Sequence, residues 1–362
     1  MPRKNQTVIF LGAGASRCCE IPTTNELTKR IFALSRFKSS LQVVKRRFDT
    51  YSIPFNVETL LGYFIASGNR HAQFLDAGSA HLALVRKNRD IDLHSRTHDR
   101  TLAKQMKYEI RKQCYVQRQP RKRLVRKKRQ LSPLHSLQSR YDSFLRGLIA
   151  NPLFHLTPTF PHGDPKYPNV EFFTTNYDDA LETFFEWAGV PLTDGYIEDI
   201  AAPGTSNQIE YRFDETEFDD AEALRIYKLY GSIMYARQGH FITRIDPYTW
   251  SLPNRRRDFG DLLIYPGATK VIWNEPQLQL FYRLHQRLRE PSTQFCIVIG
   301  YSFRDRVIAD VFKDSLALNP SLCVYIVGLQ ARTIARKIFT GYRSVKAVNK
   351  SFEALNSALD LS

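Results

Sequence analysis

Asn176 and Asp178 stand in Thr174-Thr175-Asn176-Tyr177-Asp178, directly after the apolar pair Phe172-Phe173. An amide and a carboxylate therefore follow what reads as the end of a buried strand. A fixed amide can donate to a sugar oxygen or orient a water, and a carboxylate can accept from a carboxamide. Asp178 is also placed to cap a following helix; that reading leaves Asn176 without a reason. Three more segments open an apolar run into a polar turn: Gly12-Ala13-Gly14-Ala15-Ser16, Leu229-Tyr230-Gly231-Ser232 and Gly300-Tyr301-Ser302-Phe303. In the first, small residues let the backbone approach a diphosphate, the helix start beyond offers N–H groups with a favourable dipole, and Ser16 adds a hydroxyl. Alone, that turn is equally a tight structural one. A dehydrogenase pattern places glycine at position 17, where this chain has Arg17, which argues against hydride transfer. Together the four turns imply a dinucleotide crevice assembled from distant parts of one sheet.

Positioning those turns requires strands that end at them. Thr7 to Leu11, Val170 to Thr174, Leu224 to Leu229, Phe295 to Ile299 and Val324 to Val327 read as strands, the last of them closing the central sheet. Helical spacing runs over Glu26 to Leu34, Val57 to Ile65, Tyr141 to Ile149, Asp178 to Trp187, Gln277 to Leu288, Val307 to Leu316 and Ser351 to Leu359. Asn151 to Pro168 is a Pro-rich connector, Gly204 to Glu222 a polar surface excursion, and Asp246 to Asp261 a loop. Asp305 sits where it caps the helix after the Gly300 turn. Strands alternating with helices predict an α/β fold, a doubly wound parallel sheet covered on both faces.

The 362 residues are 43% hydrophobic, enough for a sizeable core. Cys18, Cys19, Cys114, Cys296 and Cys323 form neither CxxC pairs nor an even framework, so no zinc and no disulfide scaffold is expected, and a reducing cytoplasm is the expected setting. His71, His81, His94 and His98 have no metal-ligand spacing. Gly12 interrupts the early apolar run before a signal core or membrane span is complete, so neither is expected. The net charge of +16 is concentrated between Leu84 and Arg146, with 19 Lys or Arg against five Asp or Glu. Arg121-Lys122-Arg123 and Arg126-Lys127-Lys128-Arg129 are dense enough to hold a polyanion, which makes a nucleic-acid contact through Arg121 to Arg129 one reading and a solvated helix face the other.

The order and wording of the four turns resemble the sirtuin-like domains of prokaryotic antiphage defence proteins, in which a GAG-S turn, a T-x-N-Y-D strand end, an L-H-G-S turn and a G-Y-S-F-x-D turn surround NAD. The likeness covers residues 7–35 and 165–330, with Val57-Glu58-Thr59-Leu60-Leu61 and Leu263 to Lys270 in support. It implies a Rossmann-like core of residues 1–35 and 165–362, with residues 36–164 as an inserted helical module carrying the basic segment 84–146. Deacylase sirtuins add a four-cysteine zinc ribbon and a G-I-P-D-F-R run; this chain has neither, reading Glu20-Ile21-Pro22-Thr23-Thr24-Asn25. The resemblance thus implies the defence branch: NAD as substrate, no zinc, and cleavage to nicotinamide and ADP-ribose that depletes an infected cell. It also implies a homo-oligomer, or a trigger or translocase partner.

Carried over by position, Gly12, Ala13, Gly14 and Ser16 hold the diphosphate and adjoining ribose, and Pro22 shapes the cofactor loop. Asn176 orients the nicotinamide ribose or the attacking water, and Asp178 contacts the carboxamide or braces the pocket. Gly300, Tyr301 and Ser302 flank the adenosine, while Thr175, Gly231 and Ser232 complete the cofactor-binding set. The family histidine is replaced by Tyr230, the third residue of the catalytic set. A phenol with a pKa of about 10 is poorly matched to general-base work, which is worth about 100- to 10,000-fold. His240 is a distant substitute for that base. A catalytically weak NAD or ADP-ribose sensor, or a docking protein that uses the basic insertion, are the alternatives to an enzyme.

Overall fold

The run Thr7-Val8-Ile9-Phe10-Leu11 forms strand β1 (Gln6–Leu11), buried along all five of those residues, as a central parallel strand requires. The computed structural model that contains it describes residues 6–50, 55–68, 93–116, 133–151, 154, 170–199, 210–219, 223–238, 241–245, 260–263 and 276–355. Seven parallel strands lie in the order β12 (Val345–Val348), β11 (Cys323–Val327), β10 (Thr293–Ile299), β1, β2 (Glu171–Thr174), β6 (Leu224–Lys228) and β3 (Leu192–Thr193). β1 is central: the chain winds away to one side from β2 and to the other from β10. That reversal opens a crevice at the carboxyl ends of the strands, where open α/β sheets bind their ligands.

Alternate residues of each strand feed two apolar layers. Val8, Phe10, Phe173, Tyr227, Val298 and Ile326 face one layer; Ile9, Leu11, Phe172, Ile226, Ile297 and Val327 face the other. The first is covered by α1 (Thr24–Phe32), α2 (Lys38–Thr50), α3 (Val57–Gly68) and α4 (Leu93–Gln113), and by three later helices, α7 (Gln277–Arg289), α8 (Arg306–Leu318) and α9 (Ala331–Ile338). The second is covered by α5 (Pro133–Ala150) and α6 (Ala180–Ala188). Phe48 of α2, Leu60 of α3 and Met106 of α4 therefore belong to the same layer as Phe10, and Phe144 and Leu145 of α5 to the same layer as Ile9. The helices between residues 36 and 164 are continuous with the core on both faces of the sheet.

The parallel α/β architecture matches the expectation from sequence. Several elements differ from it in detail. β12 lies outside β11, so Val324 to Val327 does not close the sheet. A second, antiparallel sheet joins β4 (Tyr196–Asp199), β5 (Glu210–Phe213), β8 (Phe241–Arg244), β7 (Tyr235–Gln238) and β9 (Gly260–Asp261) in that order; β5 falls in the expected excursion and β9 in the expected loop. Tyr196 stacks on Tyr235 within it, and Phe213 of β5 packs on Phe218, which in turn stacks on Tyr227 of β6 and ties it to the main core. After Ser351 the described chain makes only a short 3-10 turn, Phe352–Ala354, in place of the expected helix; the remainder of that helix is outside the described residues. So are Arg121 to Arg129, His71, His81, His240 and residues 264–270. Among the described residues no helix is long and apolar enough to cross a membrane.

Candidate functional site

Thr174 ends β2 by turning its hydroxyl back to the carbonyl of Leu11 at 3.1 Å, and the same Oγ1 accepts the N–H of Asn176 at 3.0 Å. This small side-chain turn fixes the backbone just where the amide begins. Asn176 Nδ2 then donates to Gly12 O and to Ser16 Oγ, each at 3.0 Å. A carbonyl can only accept, so the amide orientation is set by chemistry, and both of its hydrogens are spent. Oδ1 is what Asn176 has left to offer; among the described residues no donor reaches it. The second sequence motif is thereby bonded to the first, and its free capacity is acceptance from a hydroxyl or a water.

The glycines meet where strand ends cross. Gly12 N–H donates to Ile299 O at 2.9 Å, Gly14 N–H to Gly300 O at 3.0 Å, and Gly300 N–H to Val327 O at 2.8 Å. A Cβ on Gly12 would stand 2.7 Å from Gly300 O and one on Gly14 2.7 Å from Gly300 Cα, closer than real contacts allow. Gly300 has φ of +65°, a second reason for glycine. The chain then enters a 3-10 helix, Ala15–Cys19, and Ala15 N–H is taken by Gly12 O at 2.9 Å. Three of the N–H groups counted on for a diphosphate are thus engaged with backbone.

Beneath the turn lies a buried polar network. The Ser16 hydroxyl and the Ala180 N–H, the latter at 3.1 Å, both donate to the Asp178 carboxylate. Burial pushes the pKa of Asp178 up, against the pull of Lys228 and of these two donors. Lys228, at the end of β6, donates to the Asp178 backbone carbonyl, to Glu182 Oε1 at 2.5 Å and to Ser232 Oγ at 3.3 Å. Burial alone would lower its pKa, but the charges of Glu182 and Asp178 prevail and hold it raised. Asp179 accepts from Val116 N–H at 2.8 Å and from the Thr183 hydroxyl at 3.2 Å, and burial raises it to about 7.

Above the network opens a cavity of about 530 Å³, bordered by Ala13, Pro22, Thr175, Asn176, Asp178 and Tyr230, and on its far side by the turn from Gly300 to Arg306. Its volume falls in the range of about 300–1,000 Å³ usual for small-molecule sites. Tyr230 is 4% exposed and its ring lies 5.8 Å from that of Phe281. No histidine borders the cavity among the described residues. Cys114 does, but burial raises its thiol far above neutrality, which removes it as a nucleophile. Gly12, Gly14 and Ser16 lie just behind the wall. Gly231 and Ser232 instead border a separate void of about 10 Å³ beside Lys228 and Asp194. Gly231, with φ of +84°, would bring a Cβ to 2.2 Å from Leu262 O. Asp305 caps α8 through Val307 N–H at 3.1 Å while also bordering the cavity.

Sequence reasoning did not single out Lys228, Glu182, Asp179, Arg304 or Arg306. The one available signal was a lysine inside the otherwise apolar stretch Ile226 to Tyr230, a position that a buried strand fills with a charge only when a partner waits for it. Among the described residues no group of three or more His, Cys, Asp or Glu side chains is placed to hold a metal ion.

The fold and its crevice define an α/β protein of the Rossmann-like, doubly wound class. Residues 170–340 match the family described as SIR2-like domain. That stretch begins at β2 and ends in the turn after α9, so it holds Asn176, Asp178, Tyr230 and the Gly300 turn, while the glycine turn after β1 precedes it. A solved structure of Sir2 in complex with the inhibitor EX-527, 2′-O-acetyl-ADP-ribose and a deacetylated p53 peptide is similar over 97% of this chain and 90% of that one, at 10% identity and a TM-score of 0.36. No curated protein matches the chain.

Proposed function

We propose that the chain binds NAD across the carboxyl ends of β1, β2 and β10 and hydrolyses its nicotinamide–ribose bond. The observation that carries this reading is Asn176: locked to the glycine turn by both amide hydrogens, it offers one acceptor oxygen at a nucleotide-sized cavity. In the reaction the bond between C1′ and the ring nitrogen breaks, and its electron pair neutralises the cationic ring. Nicotinamide therefore leaves without a proton donor. Water adds to C1′ of the oxocarbenium-like ribosyl group and releases its proton to solvent, giving ADP-ribose. Asn176 Oδ1 accepts from that water or from a ribose hydroxyl, so its contribution is orientation. Asp178, fixed by Ser16 and Ala180, braces the amide's partner and lends negative charge near the ribosyl cation when ionised. Release of nicotinamide from NAD by the purified protein, abolished in Asn176→Ala with nucleotide affinity within a few-fold of the parent, is the expected result. Turnover undiminished in that variant would sink the assignment.

A second reading is favoured by Tyr230, which stands at the cavity where no histidine borders it among the described residues: a site that binds NAD or ADP-ribose, turns it over poorly, and reports to a partner. Tyr230→His separates the two. If the phenol limits an otherwise complete site, histidine raises turnover, toward the 100-fold that a general base supplies; an unchanged rate with binding intact favours the sensor. Following the resemblance, the hydrolase would serve as the NAD-depleting effector of a defence system, as a homo-oligomer or under a trigger protein. A fall in cellular NAD on phage infection, absent with Asn176→Ala, is the corresponding observation in cells.

A further inference from the structure

The engaged glycine turn raises the question of what holds the phosphates of a nucleotide in this cavity. With the N–H groups of Gly12, Gly14 and Ala15 already donated to backbone carbonyls, the glycine turn keeps few donors for a diphosphate, such as the Ala13 N–H, and a second wall has more to give. That wall is the turn after β10. Arg304 and Arg306 are exposed at the cavity, and neither has an acidic partner among the described residues, whereas Arg17 is paired with Glu26. Asp305 lies between the two arginines, and its carboxylate accepts the N–H of Val307 as the cap of α8. The Ser302 hydroxyl, on the same wall, is bonded to nothing among the described residues.

The backbone that presents these groups is held in an uncommon shape. Phe303 is 2% exposed yet has φ of +52°, a conformation costing a bulky side chain of order 1–3 kcal/mol. Its ring pays this back through Tyr301, Phe312 and Phe339, whose centroids lie 5.0, 5.1 and 4.9 Å away. Aromatic packing below thus fixes the turn above, with Ser302 and Arg304 to either side of the anchored residue. Such rigidity serves a charged contact, because two guanidinium groups on a fixed turn can grip one anion without first being ordered.

We infer that Arg304 and Arg306, with the Ser302 hydroxyl, form the phosphate grip of this cavity, and that the dinucleotide is anchored from the β10 turn more than from the glycine turn. The inference rests on the nucleotide reading given above. Its chemistry fits either the diphosphate bridge or an extra phosphate on the adenosine ribose, as NADP carries.

Calorimetric binding of NAD, NADP, ADP, pyrophosphate and adenosine to the parent, to the combined Arg304→Gln, Arg306→Gln variant and to Arg332→Gln tests it. Arg332 is an exposed arginine outside the cavity and controls for net charge. The expected result is a loss of at least about tenfold in affinity for NAD and ADP in the double variant, the size of a lost charge-assisted contact, together with a weaker salt dependence. Adenosine binding and the thermal midpoint stay as in the parent, and Arg332→Gln behaves as the parent. A loss shared by NAD, NADP and ADP assigns the grip to the diphosphate; a loss confined to NADP assigns it to the extra phosphate. Equal NAD, NADP and ADP affinities in parent and double variant overturn the inference and leave the nucleotide site standing. Arginine-dependent binding of pyrophosphate without any of NAD would uphold the grip and overturn the NAD reading. Binding of none of the five probes overturns both.

Discussion

Asn176 shows how far residue type and position can reach. Its amide after a pair of buried phenylalanines had no structural reason in the sequence, and the fold gives it one in the carbonyl of Gly12 and the hydroxyl of Ser16. Its neighbour Asp179 was invisible, because an acidic pair before a helix reads as capping. Inside the fold it is wholly buried, and its pKa of about 7 ties stability to pH. In the unfolded chain this carboxyl loses its proton near pH 4, in the folded chain near 7. As the pH rises between those values the unfolded state sheds a proton that the folded state keeps, so the contribution is complete below pH 4 and falls away by pH 7. The loss is at most about 4 kcal/mol for three pH units. Denaturant unfolding from pH 4 to 8 is expected to show this slope, and Asp179→Asn, which keeps an acceptor for Val116, to flatten it.

At the scale of elements, legibility followed hydrophobicity. β1 and β10 hold runs of four and five apolar residues and β2 the pair Phe172-Phe173, and all three were found within two residues of their observed ends. The antiparallel strands were not found, because segments such as Tyr-Ile-Glu-Asp and Glu-Tyr-Arg-Phe are short, charged and only half buried, so their pattern resembles a surface loop. α9 was missed for a related reason: six of its eight residues in Ala-Arg-Thr-Ile-Ala-Arg-Lys-Ile are alanine, threonine or basic. That the Gly14 and Gly300 turns meet was expected from their common place at strand ends; that their backbones touch too closely to admit a Cβ was not legible, since the contact joins residues almost three hundred positions apart. Gly300→Ala tests its weight. The added methyl would lie 2.5 Å from Ala15 N and from Gly14 Cα, at a positive φ. A cost above about 1 kcal/mol is expected from the backbone conformation alone, and displacement of the turn should also weaken nucleotide binding. A fully stable variant with parental affinity would mean that the two turns do not support one another.

For the molecule as a whole, the resemblance implied that residues 36–164 form an inserted helical module. The apolar residues of their described helices complete the two layers against the sheet. Met106 of α4 is fully buried in the layer that holds Phe10 and Phe312. Met106→Ala should therefore lower the unfolding midpoint of the entire protein, by the equivalent of about 2–5 kcal/mol. Loosening confined to the helices, with the sheet's transition unmoved, would instead show that they fold as a separate unit.

The central place of β1 bears on how the polypeptide is made. Its partner β10 is translated almost three hundred residues after it, and the Val327 carbonyl that receives Gly300 more than three hundred, so β1 leaves the ribosome long before its neighbour exists. Contacts this remote in sequence form late and slowly. A nascent or truncated chain lacking β10 has no floor beneath Asn176 on that side and no arginine turn. The pocket comes into being only once β10 and the turn after it have been made, so a chain that stops short of them presents no crevice for a dinucleotide.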